Sequence, residues 1–313
     1  MLDLSIVIVN YNTREFLKRC ISSIVGNVRS VSYEIIIVDN ASTDGSPSVI
    51  SNFQFPRLAP ASPGLGGAKR AISNFKIILN KKNVGFSKAN NQGVRVSQKS
   101  RYILFLNPDT IMQDQTIEEM VKFMNNNKDA GASTCKIVML NGEIDDAVHR
   151  GFPTPWNAFA HFTGLEKMFP KSKLFAGYSL GFLDFNAIHK IDVLAGAFML
   201  VRRVAGEEVR WWDEDYFFYG EDIDFCYMLK QKGWKIYYVP TVSVTHYKGV
   251  SGGIKSVSKQ ISTANEETKK RATKWRFNAM RIFYNKHYKQ KYPWIINFLV
   301  DKGIFLREKL EKV

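Results

Sequence analysis

The first half of the chain alternates between two periodicities, and that alternation restricts the fold more than any other feature. The runs Leu4–Val9 (LSIVIV), Glu34–Val38 (EIIIV), Lys76–Leu79 (KIIL) and Tyr102–Leu106 (YILFL) are continuous and rich in β-branched or aromatic residues. Each precedes a stretch with helical spacing: Arg14–Val25, Gly45–Phe53, Ser87–Val96 and Thr116–Asn125. Strands that are apolar at every position are buried on both faces, and helices between them supply the cover. The pattern predicts an α/β fold with a mostly parallel central sheet and helices on both sides.

All four runs stop abruptly in polar residues: Asn10-Tyr11-Asn12, Asp39-Asn40 with Asp44 close behind, NKKNVGFSKANNQG at 80–93, and Asn107-Pro108-Asp109. A single such ending is an ordinary turn. Four together point to one shared cleft, because ligands of open α/β sheets bind at the carboxyl ends of the strands. An acid there can hold a divalent cation.

Other segments set limits. Gln54–Ala71 (QFPRLAPASPGLGGAKRA) reads as a surface loop insertion. Its GLGGAK lacks the Gly-Lys-Ser/Thr ending of a phosphate loop, and no G-x-G-x-x-G follows the first strand. Ile191–Val201 reads as a buried strand with a small-residue break at Ala195-Gly196-Ala197, Asp222–Lys232 as a helix, and Lys235–Val244 as a strand or strand pair bent at Pro240. Three scattered cysteines make neither a zinc site nor a disulfide framework and suggest a reducing compartment. The N-terminus enters a strand directly, so no signal peptide is expected, and no apolar run is long enough to span a bilayer. The net charge is +15, and from residue 254 onward 15 Lys/Arg face 5 Asp/Glu. Ser262–Tyr288 reads as a long basic helix with Ala272, Trp275, Ala279, Ile282 and Phe283 in one stripe, and YPWIINFLVDKGIFLREKL offers two short apolar patches. Such a segment suits an anionic surface, lipid or nucleic acid.

Six motifs, SIVIVNYN, IIIVDNASTDGS, NVGFSKANNQG, FLNPDT, LAGAFMLVRR and YFFYGEDIDFCYMLKQKGWKIYYVP…VTHYKG, occur in order between residues 3 and 253. Together they resemble family 2 glycosyltransferases of the GT-A fold, and within them the rhamnosyltransferase-like branch. The resemblance implies a Rossmann-like GT-A catalytic domain at 1–253, with a nucleotide-binding half at about 1–110 and an acceptor half at about 111–253. A basic helical extension would occupy 254–313. It implies an inverting transfer from a UDP- or dTDP-linked sugar, assisted by Mn²⁺ or Mg²⁺, to a lipid-linked glycan acceptor. The enzyme would be cytoplasmic and peripheral at the inner face of a membrane, with an oligomer possible and no nucleic-acid partner.

The roles carried over are specific. Val9, Tyr11, Asp39, Asn40, Gly85, Lys88 and Asn107 would bind the donor, Asp109 and His246 the metal, and Asp222 would be the base with Glu221 its neighbour. Plainer readings stand beside these. Asp39 also suits an Asx-type turn, Lys88 an exposed helix lysine, His246 a hydrogen-bonded strand end, and Glu221, Asp222 and Asp224 a helix N-terminus. Trp211, Trp212 and Phe217 would wall the acceptor or form core. Two other classes remain, a sugar-nucleotide nucleotidyltransferase and a nucleic-acid-binding protein. The first would want a glycine-rich basic loop after the first strand, where Asn10-Tyr11-Asn12-Thr13 stands.

Overall fold

The computed structural model describes residues 1–51, 72–250, 262 and 264–311. The Gln54–Ala71 insertion lies outside the described residues. The sheet begins with β1 (Leu2–Asn10), β2 (Tyr33–Asp39), β3 (Ile72–Leu79) and β4 (Ser100–Leu106), linked by α1 (Arg14–Asn27), α2 (Ser46–Ser51) and α3 (Phe86–Val96). These strands lie parallel in the order β3-β2-β1-β4. Every residue of β2 is buried, as a strand covered on both faces requires. Leu17, Cys20, Ile21 and Ile24 are the buried face of α1, at helical spacing.

The second half is mixed. After β5 (Thr110–Met112), α4 (Thr116–Asn126) and β6 (Ala130–Met139), the chain forms α5 (Pro155–Thr163) and α6 (Leu165–Met168). Then come β7 (His189–Ile191), β8 (Phe198–Arg202), α7 (Arg203–Glu208), α8 (Glu221–Gln231) and β9 (Lys235–His246). β8 runs antiparallel between β4 and β6, β6 pairs parallel with β9, and β5 and β7 pair antiparallel with β9. The parallel rule therefore holds for the first half, and short returning strands complete the sheet.

One expectation is corrected and two are made specific. Ile191–Val201 is not one strand: β7 ends at Ile191, β8 begins at Phe198, and the small residues between them leave the sheet. Lys235–His246 is one strand, and one of the two register shifts in its pairing with β6 falls between Cys135 and Lys136, opposite the stretch holding Pro240. Proline has no N–H to give a ladder, so a shift there is expected. Finally, the two apolar patches near the C-terminus belong to one helix, α10 (Trp294–Leu310), which follows α9 (Glu266–His287).

The C-terminal helices are not a loose tail. Ala279, Phe283, Tyr284 and Tyr288 bury themselves with Tyr216 and Tyr227 in a cluster beside α8. His287 Nε2 and Lys286 Nζ meet Asp224 at 2.6 and 2.9 Å. That pairing holds the Asp224 carboxyl below its usual range although burial pushes the other way.

Candidate active site

A cavity of about 750 Å³ opens at the carboxyl ends of β1, β2 and β4. Val9, Tyr11, Asn40, Gly85, Asn107, Asp109, Glu221, Asp222 and His246 all line it. Asp39 and Lys88 do not stand among the lining residues. Asp39 is buried behind Asn40. It accepts from Asn10 Nδ2 at 2.8 Å and from the Ser42 backbone N–H at 2.9 Å, so both of its oxygens are engaged in tying loops together. Lys88 is half-exposed and lies 3.7 Å from Glu214. Because α3 starts at Phe86, Lys88 falls on a different side of the helix from the buried Ser87, Asn90 and Asn91.

Strand register explains one wall. β5 pairs antiparallel with β9 so that Thr110 faces His246, which brings the preceding residue, Asp109, beside the same histidine. The Tyr247 N–H donates to the Asp109 carbonyl at 2.9 Å and fixes the approach. Asp109 Oδ1 then lies 3.2 Å from His246 Nε2, with both side chains buried. On the other side of the ring, His246 Nδ1 is 3.3 Å from Asp145 Oδ2. Lys248 Nζ donates to Asp145 and Asp146, each at 2.6 Å. Burial alone would lower the His246 pKa, but the two flanking carboxylates outweigh it and raise the ring to about 9. Asp145 is correspondingly held well below the carboxylate range, against its own burial, by His246 and Lys248. The Asn107 amide stands 3.5 Å from His246 Nε2.

The opposite wall is the N-terminus of α8, entered through Gly220 with φ of 80°. Asp222 Oδ2 takes a hydrogen bond from Arg150 Nη2 at 2.6 Å, and the Arg150 Nε donates to the Ala147 carbonyl at 2.8 Å. Burial would lower the Arg150 pKa, but the Asp222 carboxylate outweighs it and raises it. Glu221 differs from its neighbour. Its Oε2 is buried with no hydrogen-bond partner, and burial, then the adjacent Asp222 charge, pushes its pKa up to about 8. Ala195, Gly196 and Ala197 line the cavity between the two walls. Phe217 and Trp275 of α9, with ring centroids 4.4 Å apart, close a further side. Trp212 is no part of an acceptor wall: it is 2% exposed and stacks on Phe225 in the core at 4.9 Å.

Two family models match this sequence. Glycosyl transferase family 2 matches residues 5–191, and Glycosyl transferase family group 2 matches residues 102–309. The chain belongs to glycosyl transferase family 2. The rhamnosyltransferase WbbL of Escherichia coli (strain K12) is 27% identical over 250 residues, covering 77% of this chain and 82% of that protein. The N-acetylglucosaminyl-diphospho-decaprenol L-rhamnosyltransferase of Mycobacterium tuberculosis is 27% identical over 255 residues, covering 80% and 78%. These relatives put the glycosyltransferase in the rhamnosyltransferase-like branch. Among solved structures, TarS 1–349 of S. aureus superposes with a TM-score of 0.52 at 12% identity, covering 91% of this chain and 74% of that one. GalNAc-T7 with UDP, GalNAc and Mn²⁺ superposes at 0.53 and 15% identity, covering 92% and 58%. At such identities the likeness shows the GT-A fold alone. The family sets aside the nucleotidyltransferase and nucleic-acid readings.

Sequence reasoning missed Arg150, Asp145 and Lys248 of this glycosyltransferase. Arg150 and Asp145 come from the irregular segment between β6 and α5, whose only regular piece is a short 3₁₀ turn at Asp146–Val148. No periodicity or spacing marks them. Lys248 directly follows the VTHY motif, and its position two residues after His246 was the one available signal.

Proposed function

We propose that this glycosyltransferase moves a sugar from a UDP- or dTDP-linked donor to a lipid-linked glycan acceptor, with inversion, in one displacement. The observation that carries the reading is that an Asp109–His246 pair and an Asp222–Arg150 pair stand on the walls of a single cavity. The names of the relatives support a nucleotide-sugar donor and a lipid diphosphate acceptor.

Val9, Tyr11 and Asn40 line the nucleotide end. Tyr11 offers a ring for the base, and the Asn107 amide offers a hydrogen bond to the ribose or a bound water. Among the described residues no three His, Cys, Asp or Glu side chains group as a metal cluster. The Asp109–His246 pair nevertheless fits Mn²⁺ or Mg²⁺; on binding, His246 would give up its Nε2 proton and leave that nitrogen free as a ligand. Adjacent ligands on an octahedral ion with bonds of about 2.1 Å are about 3 Å apart, and the two donor atoms here are 3.2 Å apart. Two protein ligands leave room for phosphate oxygens and water, the usual arrangement for such ions. Asp145 on the far ring nitrogen orients the imidazole as an outer-shell carboxylate does. A bound ion would supply charge neutralisation at the leaving diphosphate.

At the other wall Asp222 takes the proton from the acceptor hydroxyl. The hydroxyl oxygen attacks the anomeric carbon from the face opposite the diphosphate, and the bond to the diphosphate breaks. Arg150 holds the carboxylate in place for that transfer. Glu221 keeps its proton below pH about 8 and has an unpartnered oxygen for the acceptor. The small residues Ala195, Gly196 and Ala197 leave space for a sugar ring between the walls.

The test is a thermal-shift screen of UDP- and dTDP-sugars with and without Mn²⁺, followed by NMR of the product's anomeric centre. One donor should raise Tm, more so with Mn²⁺, because a ligand selective for the native state stabilises it. The product should show inverted configuration. A flat screen or retained configuration contradicts the proposal.

A further inference from the structure

α10 is turned inside out. It contains no buried residue. Its polar side chains face the protein: Asn297 accepts from the Tyr284 hydroxyl at 2.7 Å, and Glu308 and the following Glu311 pair with Arg281 and Arg276 of α9. At roughly 3.6 residues per turn, Trp294, Ile295, Phe298, Leu299, Phe305 and Leu306 share the opposite half of the helix. All six are exposed, Trp294 at 74%. A helix with one apolar stripe normally buries it, and contiguous exposed apolar surface of this kind marks an interaction site.

The charges inside that apolar arc select the occupant. Lys302 and Lys309 are the charged residues within it, Asp301 stands at its edge, and Glu308 is turned toward α9. The lysine heads sit over neighbouring rings, Lys302 5.5 Å from the Phe298 centroid and Lys309 4.6 Å from that of Phe305. Apolar and aromatic side chains interleaved with lysine suit the boundary of an anionic bilayer, where rings enter the headgroup region and ammonium groups meet phosphate. A second copy of the chain fits less well, because a two-fold contact would set this lysine-bearing face against itself. α10 is also a wall of the active-site cavity: Val300 and Ile304 line it from the inner side. Next to it, Arg307 lies 5.5 Å from the ring of Phe162, which belongs to a second exposed aromatic surface on α5 with Trp156 and Phe159.

We propose that the outer face of α10 docks the enzyme on an anionic membrane surface, so that the acceptor end of the cavity opens beside the lipid. This narrows the expected membrane contact to one helix face. The apolar stripe of α9 is spent on packing against the catalytic domain, and the free apolar face belongs to α10. The inference deepens the lipid-linked-acceptor reading. Its test needs neither donor nor acceptor, so the two can fail separately.

The experiment is flotation of the full-length protein with phosphatidylcholine vesicles and with vesicles that also contain phosphatidylglycerol, at low and high salt. The wild type should float with the anionic vesicles, less at high salt. The variant F298S/L299S/L306S should lose binding more than tenfold on both vesicle types. K302E/K309E should lose about tenfold on anionic vesicles alone. Both variants should stay folded, with Tm lowered by no more than a few degrees, and keep the donor-induced thermal shift, since these side chains are exposed and stand outside the cavity lining. No flotation of the wild type, or variants that float like it, would overturn the proposal. So would light scattering that shows a wild-type dimer made monomeric by F298S/L299S/L306S, which would make the face a self-contact.

Discussion

Glu221 and Asp222 are neighbours in sequence with opposite surroundings, and the difference decides what each can do. Asp222 has a guanidinium at 2.6 Å, whereas Glu221 has an unpartnered buried oxygen and a pKa raised to about 8. The native state therefore holds a proton on Glu221 that the unfolded chain gives up near 4.5. Where the folded state binds more protons, stability falls as pH rises. The contribution of Glu221 is thus most favourable below about 4.5 and is lost as pH climbs to about 8. Glu221→Gln should melt close to wild type at pH 5 and increasingly above it toward pH 9, as thermal melts across that range would show. A constant difference at all pH values would mean the carboxyl is not protonated in the native state. At this scale a motif at a strand end located residues that the fold brings to the cavity, as with Asp109 and His246. The sequence was silent on Arg150 and Asp145, which reach the site from irregular backbone. Asp39 and Lys88 lie outside the cavity lining, because a motif gives a position along the chain and not the direction of a side chain.

At the scale of elements, the strand-helix alternation of the first half was legible because continuous burial leaves an unmistakable apolar run. β6 (AGASTCKIVM) was not. Its buried positions are largely Ala, Gly, Ser and Thr, and small polar residues in a covered strand carry no hydropathy signal. The Gly131 position shows why they are small: an added Cβ would lie 2.6 Å from the Trp234 Cβ. The junction before α3 is another element fixed by one small residue. Gly85 has φ of +90°, and an added Cβ would sit 2.8 Å from the Phe217 carbonyl oxygen, to which the Phe86 N–H donates at 2.7 Å. This joins the loop after β3 to the loop that leads to Glu221. Gly85→Ala should therefore cost about 1 kcal/mol or more through the positive φ alone, and should weaken donor affinity by displacing Phe217. Chemical denaturation and donor titration measure the two effects, and a variant unchanged in both would show that the loops move freely past each other.

At the scale of the whole molecule, the parallel half brings Val9, Tyr11, Asn40 and Asn107 to one edge of the cavity and the mixed half brings Glu221 and Asp222 to the other. α9 closes the cavity between them through Trp275. The basic C-terminal segment looked separable in sequence because its charge sets it apart, yet it buries aromatic surface against α8. Truncation before α9 should accordingly lower Tm by many degrees, since several aromatic side chains worth about 1.5–3 kcal/mol each would be uncovered. A truncated chain with unchanged Tm would make the segment an accessory. The division of labour across the cavity is most directly tested by comparing Asp222→Asn with Asp109→Ala, each in a steady-state transfer assay and in donor calorimetry with Mn²⁺. Asp222→Asn should lose a factor of about 10²–10⁴ in turnover and keep wild-type donor affinity, while Asp109→Ala should lose the Mn²⁺-dependent part of donor binding. Near wild-type turnover in Asp222→Asn, or unchanged Mn²⁺-dependent donor binding in Asp109→Ala, would contradict it.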